Sequence, residues 1–179
     1  MREKVILLTG PVGSGKTELA HKIFWEMKRR GYKVGGLLSF GYGVGKKRDG
    51  YRGLNLLTGE KFEIASIKGD KEWERTGSYF FYPEGLKMAE KAVEKAIGSA
   101  LLIIDEIGPL EMRGRGLFNV FQKVLKKHKG YILVIVRESL LKEILKMIGE
   151  KVRIFTVKKE AYWEILRVLN VLKKEEKDA

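Results

Sequence analysis

The sequence contains no cysteine, which excludes a disulfide framework, a thiolate zinc site and cysteine nucleophilic chemistry together. Histidine is nearly as scarce. His21 and His128 stand alone, and neither has a ligand-spaced partner, so a structural zinc site is not expected. No apolar run approaches the roughly 20 residues that a membrane span requires. Val5 to Thr9 is too short for the core of a secretion signal and leads straight into glycine. These absences make a cytoplasmic chain with no membrane partner the expectation.

Charge is what the sequence has in quantity. Charged residues make up 33% and apolar ones 44% of the 179 positions, a balance that favours a folded globular chain over a disordered one. That length suits one domain spanning residues 1–179. Thirty-six Lys and Arg against 23 Asp and Glu leave a formal charge of +13, which attracts polyanions without choosing between nucleotide and nucleic acid. Abundant Lys and Glu, with no Cys and little Gln or Asn, also resembles a heat-adapted composition.

Apolar runs and helical periodicities alternate along the chain. Val5 to Thr9 reads as a buried strand. Leu19, Ala20, Ile23, Phe24 and Met27 then mark one helix face, with Gly31 as its left-handed stop. Val34 to Leu38 reads as a second strand and Gly41 to Gly53 as an exposed basic loop. Leu54 to Leu57 and Lys61 to Ala65 flank the turn Thr58-Gly59-Glu60, so a hairpin is expected over about residues 50–66. A short strand at Tyr79 to Tyr82 precedes a helix opened by Pro83 and closed by Gly98.

Leu101 to Asp105 is the next strongly apolar strand, ending in carboxylates. A helix over Leu117 to Lys127, a strand at Ile132 to Val136, a helix capped by Ser139 and running to Ile148, a strand at Val152 to Val157 and a helix over Glu160 to Leu172 complete the pattern. Residues 173–179 read as a solvated tail. The alternation predicts an α/β fold: a mostly parallel central sheet with helices on both faces and an inserted β-hairpin.

The segment Gly10, Pro11, Val12, Gly13, Ser14, Gly15, Lys16 and Thr17 satisfies G-x-x-x-x-G-K-[ST] between a buried strand and an amphipathic helix, the context that gives the motif its meaning. Glycines at 10, 13 and 15 let the backbone turn its N–H groups inward, at the positive end of the helix, where phosphate oxygens need converging donors. Lys16 adds a charge near the β and γ phosphates. The Thr17 hydroxyl is a hard oxygen suited to Mg²⁺.

The second chemical signal is Asp105-Glu106, leaving the strand of ALLIIDEIG. Asp105 is placed to complete the magnesium site with Thr17. Glu106, one residue on, is placed to take a proton from a water attacking the γ phosphorus. Lys16 and Glu106 are therefore the candidate catalytic residues, and Gly108 joins the nucleotide-binding set.

These residues resemble a known family, the small P-loop nucleoside triphosphatases first described in thermophiles, to which the human cancer-related nucleoside triphosphatase is related. The resemblance rests on GPVGSGKT, on Arg48-Asp49-Gly50-Tyr51 before a hairpin ending at Thr58-Gly59, and on Gly77-Ser78-Tyr79 before a helix. IDEIGPLEM, Ile104 to Met112, is similar to the family's I-D-E-I-G-x-M-E-L. It implies the P-loop NTPase fold and slow, Mg²⁺-dependent hydrolysis of ATP, GTP and other triphosphates to diphosphate and phosphate. Glu111 falls on a family carboxylate and has two readings, support of the site or a cap for the helix near Leu117. The chain departs from the family at Ser39-Phe40-Gly41-Tyr42-Gly43, where T-E-E-V-R is usual, and at Ala161-Tyr162, where Asn-Arg is usual. Tyr162 thus reads as a packed aromatic or a stacking surface for the base.

Two rival functions share the first motif. A nucleotide or nucleoside kinase would bring an arginine-rich lid; Arg113, Arg115 and Arg137 are candidates for transition-state charges but form no recognisable lid. A nucleic-acid-binding protein switched by ATP would use Lys46, Lys47, Arg48 and Arg52 on phosphates, with Tyr42 or Tyr51 on bases. A solvated basic loop is preferred to that reading. Oligomeric state is left open by the sequence, with a monomer the simpler expectation.

Overall fold

The computed structural model describes residues 4–149 and 151–170; the expected tail at 173–179 lies outside them, as does the end of the last expected helix. In chain order the elements are β1 (Val5–Thr9), α1 (Lys16–Arg29), β2 (Val34–Tyr42), β3 (Gly50–Asn55), β4 (Lys61–Ser66), β5 (Arg75–Thr76), β6 (Tyr79–Phe81) and α2 (Pro83–Lys95). They continue with β7 (Leu101–Ile107), α3 (Pro109–Met112), α4 (Phe118–Lys127), β8 (Tyr131–Val136), a 3-10 turn (Glu138–Leu140), α5 (Leu141–Ile148), β9 (Val152–Thr156) and α6 (Ala161–Val168).

Among the described residues nine strands form one sheet in the order β5-β6-β4-β3-β2-β7-β8-β1-β9. Five of them, β2, β7, β8, β1 and β9, pair in parallel. The other four extend the edge of β2 as an antiparallel wing. Strand alternation divides the apolar side chains between the two faces. Ile6 and Leu8 of β1 join a cluster with α1 and α6, whereas Leu7 joins one with α2, α4 and α5. The P-loop NTPase architecture expected from the sequence is therefore the one observed, with helices on both faces.

Helix α1 buries Leu19, Ala20, Ile23, Phe24 and Met27, the stripe read from the sequence; complete burial of a side chain such as Ile23 contributes about 1.5–3 kcal/mol. It ends as anticipated. Gly31 has φ +85°, its N–H donates to Lys28 O at 2.9 Å, and the Tyr32 N–H donates to Met27 O at 3.1 Å. Those two bonds satisfy carbonyls that the helix end would otherwise leave open.

Three boundaries differ from expectation. Strand β2 runs on to Tyr42, because Ser39 to Tyr42 pair with Gly53 to Gly50 of β3; nearly half of the expected basic loop is thus strand, leaving residues 43–49 between. The acids lie inside β7 rather than at its end, and the pairing with β8 slips between Asp105 and Ile107. Ser139 does not cap a helix. It sits within the 3-10 turn, and α5 begins at Leu141 with no side-chain cap.

Candidate functional site

Parallel strands deliver their C-terminal ends to one rim, and in open α/β sheets ligands bind there. β1 gives way to the glycine loop, β2 brings Ser39, β7 brings Asp105 and Glu106, and β8 brings Arg137. A cleft of about 710 Å³ joins these ends. Strand β8 lies between β1 and β7, so the residue that follows it, Arg137, arrives between the loop and the acidic pair.

The loop has the conformation its glycines suggest. Gly13 and Gly15 have φ of +76° and +93°, left-handed values that cost other residues roughly 1–2 kcal/mol each. Gly15 caps α1, which starts at Lys16. Gly10 is confined by space, since a Cβ there would lie 2.7 Å from Ser14 Oγ. The Lys16 ammonium donates to the carbonyls of Gly10 at 2.8 Å and Pro11 at 2.9 Å, within the loop it was expected to serve. Gly13, Ser14 and Gly15 line the cleft together with Val12, whose side chain is 87% exposed.

Thr17 and Asp105, assigned from sequence to one cation, touch directly. Thr17 Oγ1 donates to Asp105 Oδ2 at 2.7 Å, and the Ser39 N–H donates to the same oxygen at 3.0 Å. One carboxylate therefore joins the tips of β2 and β7 to the first turn of α1. Asp105 is only 5% exposed. Burial pushes its carboxyl up to about 7, against the pull of the Ser39 and Thr17 bonds. A desolvated carboxylate beside a hydroxyl oxygen is a hard-oxygen donor set that a divalent cation would satisfy. Among the described residues no three His, Asp or Glu side chains form a cage of their own.

Glu106 lines the same cleft and accepts a hydrogen bond from Arg137 Nε at 3.0 Å. Gly108 lies beside it: a Cβ there would be 3.1 Å from Glu106 Oε1. Glu111 faces inward, 6% exposed. Its Oε2 accepts the Gly108 N–H at 2.9 Å and its Oε1 the Leu117 N–H at 3.1 Å. Burial raises its carboxyl above the usual range despite those two donors. The bond to Leu117 reaches the residue before α4, which has no side-chain cap of its own, and the bond to Gly108 completes a capping box at the start of α3, while Glu111 also lines the cleft.

The structure separates the three arginines. Arg137 joins the site. Arg113 Nη2 donates to Arg75 O at 2.8 Å, and Arg115 pairs with Glu74 at 3.1 Å, so both tie the segment after α3 to the antiparallel wing. Tyr162 packs against the α1 side of the core, its ring 5.1 Å from that of Trp163, and does not line the cleft. The basic loop also divides. Lys46 and Arg48 line the cleft, whereas Arg52 pairs with Glu63 at 2.7 Å and stacks on Tyr42.

Sequence reasoning missed the Ser39 main-chain donor and the aromatic wall formed by Tyr51 and Tyr79. Neither carries a local signal: the first is a backbone group, and the second joins residues from separate strands.

Comparison with known proteins identifies the family. A family model described as NTPase matches residues 5–169. The nucleoside-triphosphatase THEP1 of Pyrococcus abyssi is 36% identical over 133 residues, 73% of each chain. That of Thermococcus kodakarensis is 34% identical over 137 residues, 74% of this chain and 76% of the relative. Among solved structures, a human cancer-related nucleoside triphosphatase superposes with a TM-score of 0.72 at 23% identity, covering 96% of this chain and 98% of the other. THEP1 from Aquifex aeolicus gives 0.68 at 21% identity, covering 92% and 98%; both likenesses concern the fold. Matched from the first strand through the last described helix, the chain belongs to the NTPase family.

Proposed function

We propose that the chain binds nucleoside triphosphates with Mg²⁺ and hydrolyses them to diphosphate and phosphate. The observation that carries this reading is the 2.7 Å contact between Thr17 Oγ1 and Asp105 Oδ2, with Glu106 in the same cleft. It brings together two motifs that lie 88 residues apart in sequence.

In this mechanism the main-chain N–H groups of Gly13 to Thr17 receive the β and γ phosphate oxygens, at the positive end of α1. The Lys16 ammonium leaves the Gly10 and Pro11 carbonyls for the phosphate charge. Thr17 and Asp105 would hold Mg²⁺, which when bound neutralises charge on the phosphate oxygens. Glu106 orients the attacking water and takes its proton, and Arg137 fixes the Glu106 carboxylate in place. The negative charge that grows on the departing diphosphate remains against the loop N–H groups.

Broad base tolerance is part of the proposal, in keeping with the nucleoside-triphosphatase name carried by the relatives. The test is to supply ATP, GTP, CTP and UTP in parallel with Mg²⁺ and to measure phosphate. Each should be cleaved, and Lys16→Ala should lower the rate by about a hundredfold or more. Full activity in Lys16→Ala, or no phosphate from any triphosphate, would defeat the assignment.

A further inference from the structure

The cleft does not end at the phosphate loop. Apart from the loop and the acids, its lining includes an apolar arm: Tyr51, Ile64, Ala65 and Tyr79 of the antiparallel wing, with Leu86 of α2 and Leu110 of α3. Leu110 and Ala65 are almost completely shielded from solvent, and the Tyr51 and Tyr79 rings meet edge to face at 5.2 Å. Arg48 and Lys46 also line the cleft.

Neither the attacking water nor the polyphosphate accounts for this arm. An attacking water occupies about 30 Å³, and polyphosphate has no use for an apolar wall. The combination of apolar and aromatic walls with a few polar groups at one end is the make-up of a site for a small organic molecule. Aromatic side chains favour an aromatic ligand, through edge or offset contacts. The polar end is Glu106, whose carboxylate can take a proton from an alcohol as well as from water.

We propose that this arm is an acceptor pocket, holding a hydroxyl-bearing aromatic compound of nucleoside size whose hydroxyl competes with water for the γ-phosphoryl group. The inference rests on the reading that the terminal phosphate lies at Lys16 and Thr17. In the step, the acceptor oxygen forms a bond to the γ phosphorus and the bond from that phosphorus to the β,γ-bridging oxygen breaks. The nucleoside diphosphate leaves with the electron pair, and the acceptor proton passes to the Glu106 carboxylate. The products are a phosphorylated acceptor and a nucleoside diphosphate.

The test incubates the purified protein with Mg²⁺, ATP labelled at the γ phosphorus, and adenosine, guanosine, cytidine, uridine or thymidine in turn, and separates the products by thin-layer chromatography. Labelled nucleoside monophosphate from at least one of the five is the expected result. Leu86→Trp, which fills the arm, and Tyr79→Ala, which removes part of its wall, should each lower that product by about tenfold or more. Tyr79→Phe keeps the ring and should retain it, and melting curves of all three variants distinguish loss of the pocket from loss of the fold. Labelled free phosphate alone from all five mixtures overturns the acceptor pocket and leaves hydrolysis standing. No labelled product of either kind overturns both, and yields unchanged in both Leu86→Trp and Tyr79→Ala overturn the pocket.

Discussion

Arg137 Nε lies 3.0 Å from Glu106 Oε1, joining the end of β8 to the acid that β7 carries into the cleft. The two side chains are 38% and 31% exposed, so the pair itself contributes at most about 1 kcal/mol to stability. Its larger effect is orientation. Glu106→Gln should lower turnover by about a hundredfold to ten-thousandfold, with fluorescent-nucleotide binding retained. Arg137→Ala should lower kcat by about a hundredfold through a misplaced Glu106. Arg137→Lys should not restore it, since lysine lacks the planar guanidinium. If Arg137→Ala and wild type have the same kcat, the orienting role is wrong.

The buried Asp105 carboxyl should make stability depend on pH and, on the proposed reading, on Mg²⁺. Its folded value of about 7 stands above the ordinary 3.8 of an aspartate, so the native state holds its proton more tightly than the unfolded chain does. The contribution is most favourable below about pH 4 and is lost as pH rises through about 7. Asp105→Asn should therefore flatten the metal-free stability curve between those limits. At pH 8, Mg²⁺ should raise the melting temperature of the wild type and leave Asp105→Asn unchanged; equal responses would remove Asp105 from the metal site.

His128 titrates with the opposite consequence. Its Nδ1 accepts the Gly98 N–H at 3.3 Å and its Nε2 lies 3.1 Å from Tyr131 O, an arrangement suited to the neutral ring with the proton on Nε2. Burial lowers its basicity from the usual 6.5. The neutral ring thus supports the fold above that value, and the support is lost as pH falls below it. The melting temperature of the wild type should drop between pH 7 and 5 by more than that of His128→Gln. Identical slopes would assign the acid sensitivity elsewhere.

Glu111 should matter to stability more than to chemistry. Removal of its carboxylate leaves the Gly108 and Leu117 N–H groups without their acceptor, which costs roughly 2–4 kcal/mol when buried donors go unsatisfied. Urea unfolding should show that loss in Glu111→Ala. Glu111→Gln, which keeps one acceptor oxygen, should lose about half as much.

The parts legible in the sequence were those written in contiguous residues. Val5 to Thr9, the glycine loop and the Leu19 to Met27 stripe each declare themselves within one window, and so does the apolar run into Asp105-Glu106. The outer half of β2 could not be read that way. Ser39 to Tyr42 contains glycine and no clean alternation, and it becomes strand only because β3 pairs with it. The partnership of Glu106 with Arg137 spans 31 residues and depends on β8 lying beside β7, a matter of sheet order that no local pattern encodes. Ser139 carried the right chemistry for a cap, yet the chain there forms a 3-10 turn first.

Gly36 lies in β2 beside Ile103 of β7, on the edge of β2 opposite the antiparallel wing. Its φ is +113°, and a Cβ there would stand 2.0 Å from the Ile103 carbonyl oxygen. Even a methyl group at that point would force β2, which carries the wing, away from β7. Tyr51 and Tyr79 belong to that wing, while Glu106 belongs to β7. One missing side chain thus sets how closely the two walls of the cleft approach.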